Sequence, residues 1–152
     1  MTPLFKKLNL RDQQSIVVLD APESFEAELR ALSGVVVSRD ISQGGTLHFG
    51  IAFVVTQRQL DDASTAKVAA AIGDAILWVA YPKQTSKRYK CEFNRDEGWH
   101  VLGQAGFEGV RQVAIDADWS ALRFRRVEFI KKLTRAPGRA VTRVGKLRSA
   151  PK

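Results

Sequence analysis

The chain has 152 residues, 45% of them hydrophobic, and a formal net charge of +8. This length and apolar content suit one globular domain with a substantial core and exclude an extended polar chain. A single cysteine, Cys91, excludes an internal disulfide, and no stretch reaches the roughly 18 apolar residues that a membrane span needs, so a soluble, cytoplasmic protein is expected.

Thr2-Pro3 opens a short helix with Thr2 as its cap, and Leu4, Phe5 and Leu8 lie on one side of it. The opening MTPLFKKLNLRD holds no sustained apolar run of the kind a secretory leader carries. Ser15–Leu19 is a compact β-branched run and the first strand. Pro22 begins a helix whose early acids, Glu23 and Glu26, suit the helix dipole; Phe25, Leu29 and Leu32 form its buried stripe, and Gly34 ends it. Val35–Val37 is the next strand, closed by Ser38-Arg39-Asp40, and Gln43-Gly44-Gly45 is a flexible break. Leu47–Val55 is expected to be the longest strand. Thr56 then caps a helix over Gln57–Ile72, with Leu60, Ala63, Val68, Ala71 and Ile72 facing inward and Gly73 as its stop signal.

Ala75-Ile76-Leu77-Trp78-Val79-Ala80 has no polar break, which predicts a short strand covered on both faces, as in a parallel sheet between helix layers. Pro82 has no N–H for a ladder, so pairing is expected to stop near Tyr81. The passage Leu47–Ala80 is a strand–helix–strand crossover, so its two strands should be parallel. Beyond this strand the chain carries Lys83, Lys87, Arg88 and Lys90 with no acid until Glu92. In open α/β sheets ligands bind beyond the carboxyl ends of the strands, so this loop is the address for a ligand.

A further helix is expected from about Asn94, with Asp96 and Glu97 near its start, Trp99, Leu102 and Ala105 turned inward, and Gly106 at its end. Gly109–Ile115 and Ala121–Ile130, joined by Asp116-Ala117-Asp118-Trp119-Ser120, predict an antiparallel hairpin. The single α/β domain is placed at residues 1–133. Residues 134–152 hold Arg135, Arg139, Arg143, Lys146, Arg148 and Lys152 with no acid, and read as a disordered basic tail. Removing those six charges from +8 leaves the body near +2, so the excess is mostly a property of the tail.

An alternating β/α chain that finishes in an antiparallel hairpin resembles a shortened class I methyltransferase sheet, a three-layer, mainly parallel Rossmann-like fold. In that family a glycine-rich turn after the first strand lets the backbone approach S-adenosylmethionine, and an acid near the end of the second strand holds its ribose. This chain has Leu19-Asp20-Ala21-Pro22-Glu23-Ser24 at the turn, without glycine, and Asp40 in the acidic position beside Arg39. Binding of that cofactor in the usual mode is therefore not expected. The segments SIVVLDAPESFEAEL, GDAILWVAYPKQTSKRYKCEFNRDEGW and GFEGVRQVAIDADWSALRFRRVEFIK are similar to a family of small bacterial α/β proteins of uncharacterised activity, over most of Ser15 to Lys131. The resemblance implies the fold and leaves the activity open.

Lys83, Thr85, Ser86, Lys87, Arg88 and Lys90 offer cations and hydroxyls within eight residues, the donor set a phosphate or another polyanion needs, or alternatively a solvated basic loop. The glycines and the glycine-lysine-serine/threonine ending of a P-loop are missing. Tyr81 and Tyr89 flank the loop and offer stacking surfaces, with Tyr81 half-buried. Arg111, Arg123, Arg125 and Arg126 fall in the hairpin, Arg123 and Arg125 on one face; they either pair with Asp116, Asp118 or Glu128 or grip phosphates. The tail gives salt-sensitive attraction to nucleic acid but lacks aromatics for base stacking. Lys90 and Arg88 are placed to depress the Cys91 thiol, although an ordinary cysteine is the simpler reading, and neither His48 nor His100 has a nucleophile partner to activate. Asp116 and Asp118 serve the turn rather than a metal, and Trp78, Trp99 and Trp119 are core residues. These residues point to a non-catalytic module binding an anionic partner (a nucleotide, an RNA or an acidic protein surface) at the carboxyl edge of the sheet. The alternative is a divergent methyltransferase-like enzyme, and an exposed sheet edge would also permit an oligomer.

Overall fold

The computed structural model describes residues 2–41, 45–94 and 97–130. The expected break at Gln43-Gly44, the helix-start residue Asp96 and the basic tail 134–152 lie outside the described residues.

Six strands form one sheet: β1 (Ser15–Leu19), β2 (Val36–Ser38), β3 (Leu47–Phe53), β4 (Ala71–Pro82), β5 (Phe107–Ala114) and β6 (Trp119–Arg126), in the order β2-β1-β3-β4-β6-β5. The first four are mutually parallel, and β6 runs antiparallel to both β4 and β5. This is the expected mainly parallel α/β sheet ending in an antiparallel hairpin, with the last strand inserted between β4 and β5.

The unbroken apolar runs are explained by helices on both faces. Phe49, Ile51 and Phe53 of β3 and Ile76, Trp78 and Ala80 of β4 pack with Phe5 and Leu8 from α1 (Pro3–Lys7) and its end, and with Phe25 and Leu29 of α2 (Glu23–Arg30). The alternate residues, Ala52, Leu77, Val79 and Tyr81, pack with Leu60 and Ala70 of α3 (Gln57–Ala70) and Leu102 of α4 (His100–Gln104). A strand buried on both sides has no position where a polar residue is cheap, hence the absence of alternation. Trp78 anchors the middle: it is fully buried and its indole N–H donates to the Leu8 carbonyl at 2.8 Å. Two expected caps form: the Thr2 hydroxyl accepts from Phe5 N–H at 3.2 Å, and Thr56 and Gln59 make a reciprocal capping box on α3.

Several boundaries differ. α3 ends at Ala70, so Ala71 and Ile72 are strand residues, and Ile72 is exposed rather than inward. Gly73, with φ +56°, does not stop the helix but shapes a bulge: Leu47 pairs with Ala71 while Phe49 pairs with Ile76, so β4 carries extra residues there. The Arg126 guanidinium donates to the carbonyls of Ala71 and Gly73 and holds the bulge. β4, at 12 residues, is therefore longer than β3 at 7, and it continues one residue past Tyr81, with Pro82 opposite Trp119. α4 begins only at His100: Trp99 is its buried N-cap, Asn94 and Glu97 form an isolated bridge, and Ala105 is exposed. The helix is short because Gly98 at φ +100° redirects the chain immediately before it. α2 ends at Arg30, and Gly34 (φ +73°) turns the chain into β2 instead of capping the helix. The hairpin connection shrinks to Ile115–Asp118, and Val127–Phe129 leaves the strand as a 3-10 turn.

A fully buried lysine escaped the sequence reading. Lys67 lies on α3 beneath the sheet, and its Nζ donates to the Trp78 carbonyl at 2.9 Å. Burial desolvates the ammonium, whose single acceptor among the described residues is the Trp78 carbonyl, and lowers its pKa to about 7. Ser64, one turn earlier, is also buried, and its hydroxyl has no hydrogen-bond partner among the described residues.

Candidate functional site

Beyond the carboxyl end of β4, the described residues 83–94 and 97–98 line an open cleft of about 1330 Å³ together with Gln57, Gln112 and Ser120. All six residues singled out from the sequence, Lys83, Thr85, Ser86, Lys87, Arg88 and Lys90, line it. The loop is fastened to the sheet: Lys83 N–H donates to the Asp118 carbonyl at 2.8 Å, and the Ser86 hydroxyl donates to the Asp118 carboxylate at 2.8 Å. Ser86 Oγ also accepts from Tyr89 N–H at 3.2 Å, which closes the turn that presents Lys87 and Arg88 to solvent.

The opposite wall comes from the start of α3 and the residues before α4. Gln57 Nε2 donates to the Gly98 carbonyl and to Asp61, each at 2.8 Å, and Gln57 N–H donates to Glu92 at 3.0 Å. The first turn of α3 is thus satisfied by the chain's own groups, so positive charge in the cleft comes from the loop rather than from this helix end. Gly98 fits because it lacks a side chain: a Cβ there would lie 2.8 Å from the Phe93 Cβ, at a φ that side chains rarely adopt.

The floor is polar: Tyr81 and Ser120 are buried, and Gln112 beside them is exposed. Gln112 Nε2 donates to the Tyr81 hydroxyl at 3.0 Å and to the Ser120 hydroxyl at 3.1 Å. Tyr81 is only 5% exposed and its ring packs against Phe93 and Trp99, so the expected stacking surface at Tyr81 is lost to the core. Tyr89 stays half-buried against Trp119, with the Arg88 guanidinium 5.8 Å from its ring centre. Four cations (Lys83, Lys87, Arg88, Lys90) face two carboxylates (Glu92, Glu97) around the cleft, an excess of two positive charges. Among the described residues no carboxylate pairs with any of the four.

Other expected residues are used elsewhere. Burial pushes the Cys91 thiol pKa up, with Glu92 adding to the effect against an opposing backbone hydrogen bond at Phe93, so the neighbouring cations do not activate it. Asp116 accepts from Asp118 N–H at 2.8 Å, Trp119 N–H at 2.9 Å and Ser24 Oγ at 3.1 Å, the work of a turn residue. Among the described residues no group of three or more His, Cys, Asp and Glu is placed to hold a metal ion. Arg125 does not pair with Asp116, Asp118 or Glu128. It forms a two-pronged pair with Asp74, at 2.8 and 2.6 Å, across the hairpin and β4, a partner hidden from the sequence by a separation of 51 positions.

The turn after β1, where the methyltransferase resemblance would place S-adenosylmethionine, contributes nothing to the lining of this cleft. Asp20 takes a left-handed φ of +56° with a side chain present, and Phe25 just beyond packs 4.8 Å from Phe53. Asp40 is exposed, and Arg39 pairs with Glu26. The residues of the usual glycine-rich mode are not in this turn, so no cofactor step is assigned to it.

No family model matches the chain, and no curated protein matches it. Among solved structures it is similar to the N-methyltransferase NodS from Bradyrhizobium japonicum WM9, with a TM-score of 0.44, 13% identity and coverage of 75% of this chain and 85% of that one. It is also similar to LepI C52A in complex with SAH and a substrate analogue (TM-score 0.45, 14% identity, 80% and 38% coverage). The pyocyanin biosynthetic protein PhzM is a third (TM-score 0.44, 16% identity, 78% and 52% coverage). The chain spans about two fifths of LepI and half of PhzM. Similarity at this level concerns the course of the chain and assigns no activity. Among the described residues no helix is long and apolar enough to cross a membrane.

Proposed function

We propose that the protein is a non-catalytic module that binds an anionic partner in the cleft beyond β4, with Lys83, Lys87, Arg88 and Lys90 as the positive rim and Thr85 and Ser86 as hydroxyl donors. One observation carries this reading: four cations without a partner carboxylate among the described residues converge on one cleft whose loop is tied to the sheet through Asp118. A nucleotide, a single-stranded RNA and an acidic protein surface all carry the required charge. The Tyr81–Gln112–Ser120 floor, with Gln112 exposed, adds neutral hydrogen-bonding groups for orienting a ligand rather than attracting it. Reversing charge at Lys87 and Arg88 together tests it, with ATP and a fluorescent single-stranded RNA as probes. A loss of about tenfold or more in affinity is expected at low salt; unchanged affinity for both probes counts decisively against the reading.

A second reading, a divergent methyltransferase-like transferase, is favoured by the position of the cleft at the carboxyl edge of parallel strands. Calorimetric titration with S-adenosylmethionine and S-adenosylhomocysteine decides it, since the absence of heat at millimolar ligand removes it.

A further inference from the structure

The arginines of the hairpin are not part of the cleft, and the structure separates their roles. Arg126 holds the β4 bulge and Arg125 is committed to Asp74. Arg123 has no such engagement. It sits opposite Trp78 on β4 and Arg111 on β5, on the sheet face covered by α1 and α2. Its Nε–H is buried, with no hydrogen-bond acceptor among the described residues. Three like charges, Arg125, Arg111 and Arg11, act on it against one carboxylate, Asp74, which Arg125 already grips. Arg11 arrives from the segment after α1, where its Nε–H donates to Asn9 Oδ1 at 2.8 Å and leaves its terminal nitrogens available.

A half-buried guanidinium cannot lower its cost by losing its proton at any ordinary pH, and an unmet buried donor adds to that cost. Among the described residues the arrangement lacks an acceptor that is anionic, compact and able to take several N–H bonds at once. A doubly charged tetrahedral oxyanion satisfies all three conditions, with arginine forks matching its oxygen spacing.

We propose that Arg123, flanked by Arg11 and Arg111, forms a second anion site for a phosphate group, free or as the terminal group of a phosphorylated small molecule, separate from the cleft beyond β4. Arg111 and the cleft residue Gln112 are consecutive on β5 and face opposite sides of the sheet, so the two sites are divided by the sheet itself. Occupancy of one therefore leaves the other open.

The test is calorimetric titration of the full chain with inorganic phosphate and with pyrophosphate in a low-salt, phosphate-free buffer. Wild type, Arg123→Gln, Arg111→Gln and the loop variant Lys87→Glu/Arg88→Glu are compared. Saturable binding is expected in wild type and in the loop variant, weakened by about tenfold or more in each arginine variant. Arg111 is exposed, so Arg111→Gln keeps the test intact if Arg123→Gln fails to fold. Absence of saturation at about 10 mM phosphate and pyrophosphate, or arginine variants that titrate like wild type, overturns the proposal. So does binding of a single-stranded oligonucleotide that depends on Arg123 when phosphate and pyrophosphate do not bind, because the ligand is then nucleic acid.

Discussion

The Ser86 hydroxyl donates to the Asp118 carboxylate at 2.8 Å, joining the middle of the basic loop to the turn between β5 and β6 across 32 positions of sequence. Four cations on an untethered loop would spread into solvent. Tied at Ser86 and again at Lys83, they are held over one cleft, and less ordering is left for a ligand to impose. Ser86→Ala should therefore weaken binding of an anionic probe by about fivefold, the equivalent of one partly exposed hydrogen bond, while the thermal midpoint moves little. Anisotropy titration beside a melting curve checks this; a large fall in midpoint with unchanged affinity would make the contact purely structural.

Gly98 shapes the facing wall. A side chain there meets the Phe93 Cβ and the Gln57 side chain and is forced into an unfavourable φ of +100°. Gly98→Ala should cost about 1–3 kcal/mol of stability and also weaken ligand binding, because Gln57 loses its fixed contact with the Gly98 carbonyl. Urea denaturation gives the first quantity, and a shift below about 0.5 kcal/mol would show that the wall gives way freely.

Lys67 makes stability depend on pH. Its pKa is about 7 in the folded protein and near 10.5 when free, so between those values the unfolded chain holds a proton that the folded chain lacks. Stability should rise with pH across this window, at up to about 1.4 kcal/mol per unit. Below pH 7 the ammonium is charged in both states and its burial penalty is complete. Lys67→Met removes this slope and stabilises the protein at pH 6, with less advantage at pH 9.5, where the variant still lacks a donor to the Trp78 carbonyl. Urea midpoints of both proteins at the two pH values test it, and parallel pH dependence would rule out a proton-free buried lysine.

Much of the fold was legible because burial on both faces leaves an unmistakable trace. Ala75–Ala80 and Leu47–Val55 read as covered strands, the second two residues longer than the observed Leu47–Phe53, and Thr2, Thr56 and Gly106 marked helix ends by local hydrogen bonding and backbone freedom alone. The six loop residues were legible as a group because charge density and strand end coincide. What failed depended on partners distant in sequence. The Asp74–Arg125 pair, the Arg126 clamp on the bulge and the burial of Lys67 are set by strand register, which no local pattern carries. Gly73 misled for the same reason: its freedom was visible, but whether it ends a helix or bends a strand is decided by its neighbour β3.

Cys91 should behave as an unactivated thiol despite Lys90 and Arg88 beside it. Burial raises its pKa above the ordinary thiol value, so alkylation by iodoacetamide should be slow at neutral pH and accelerate only above the range of a free cysteine. Rapid modification at pH 7 would place the thiolate under the influence of the loop cations instead.

The central claim is that the cleft lined by Lys83–Lys90 receives an anionic ligand. The most direct measurement is an amide chemical-shift titration of the isotope-labelled protein with ATP and, separately, with a short single-stranded RNA. Saturable shifts concentrated in Lys83–Lys90, Gly98 and Gln112, absent in Lys87→Glu/Arg88→Glu, are predicted. Shifts that map to the turn after β1, or probes that leave the loop amides unmoved, would contradict the claim.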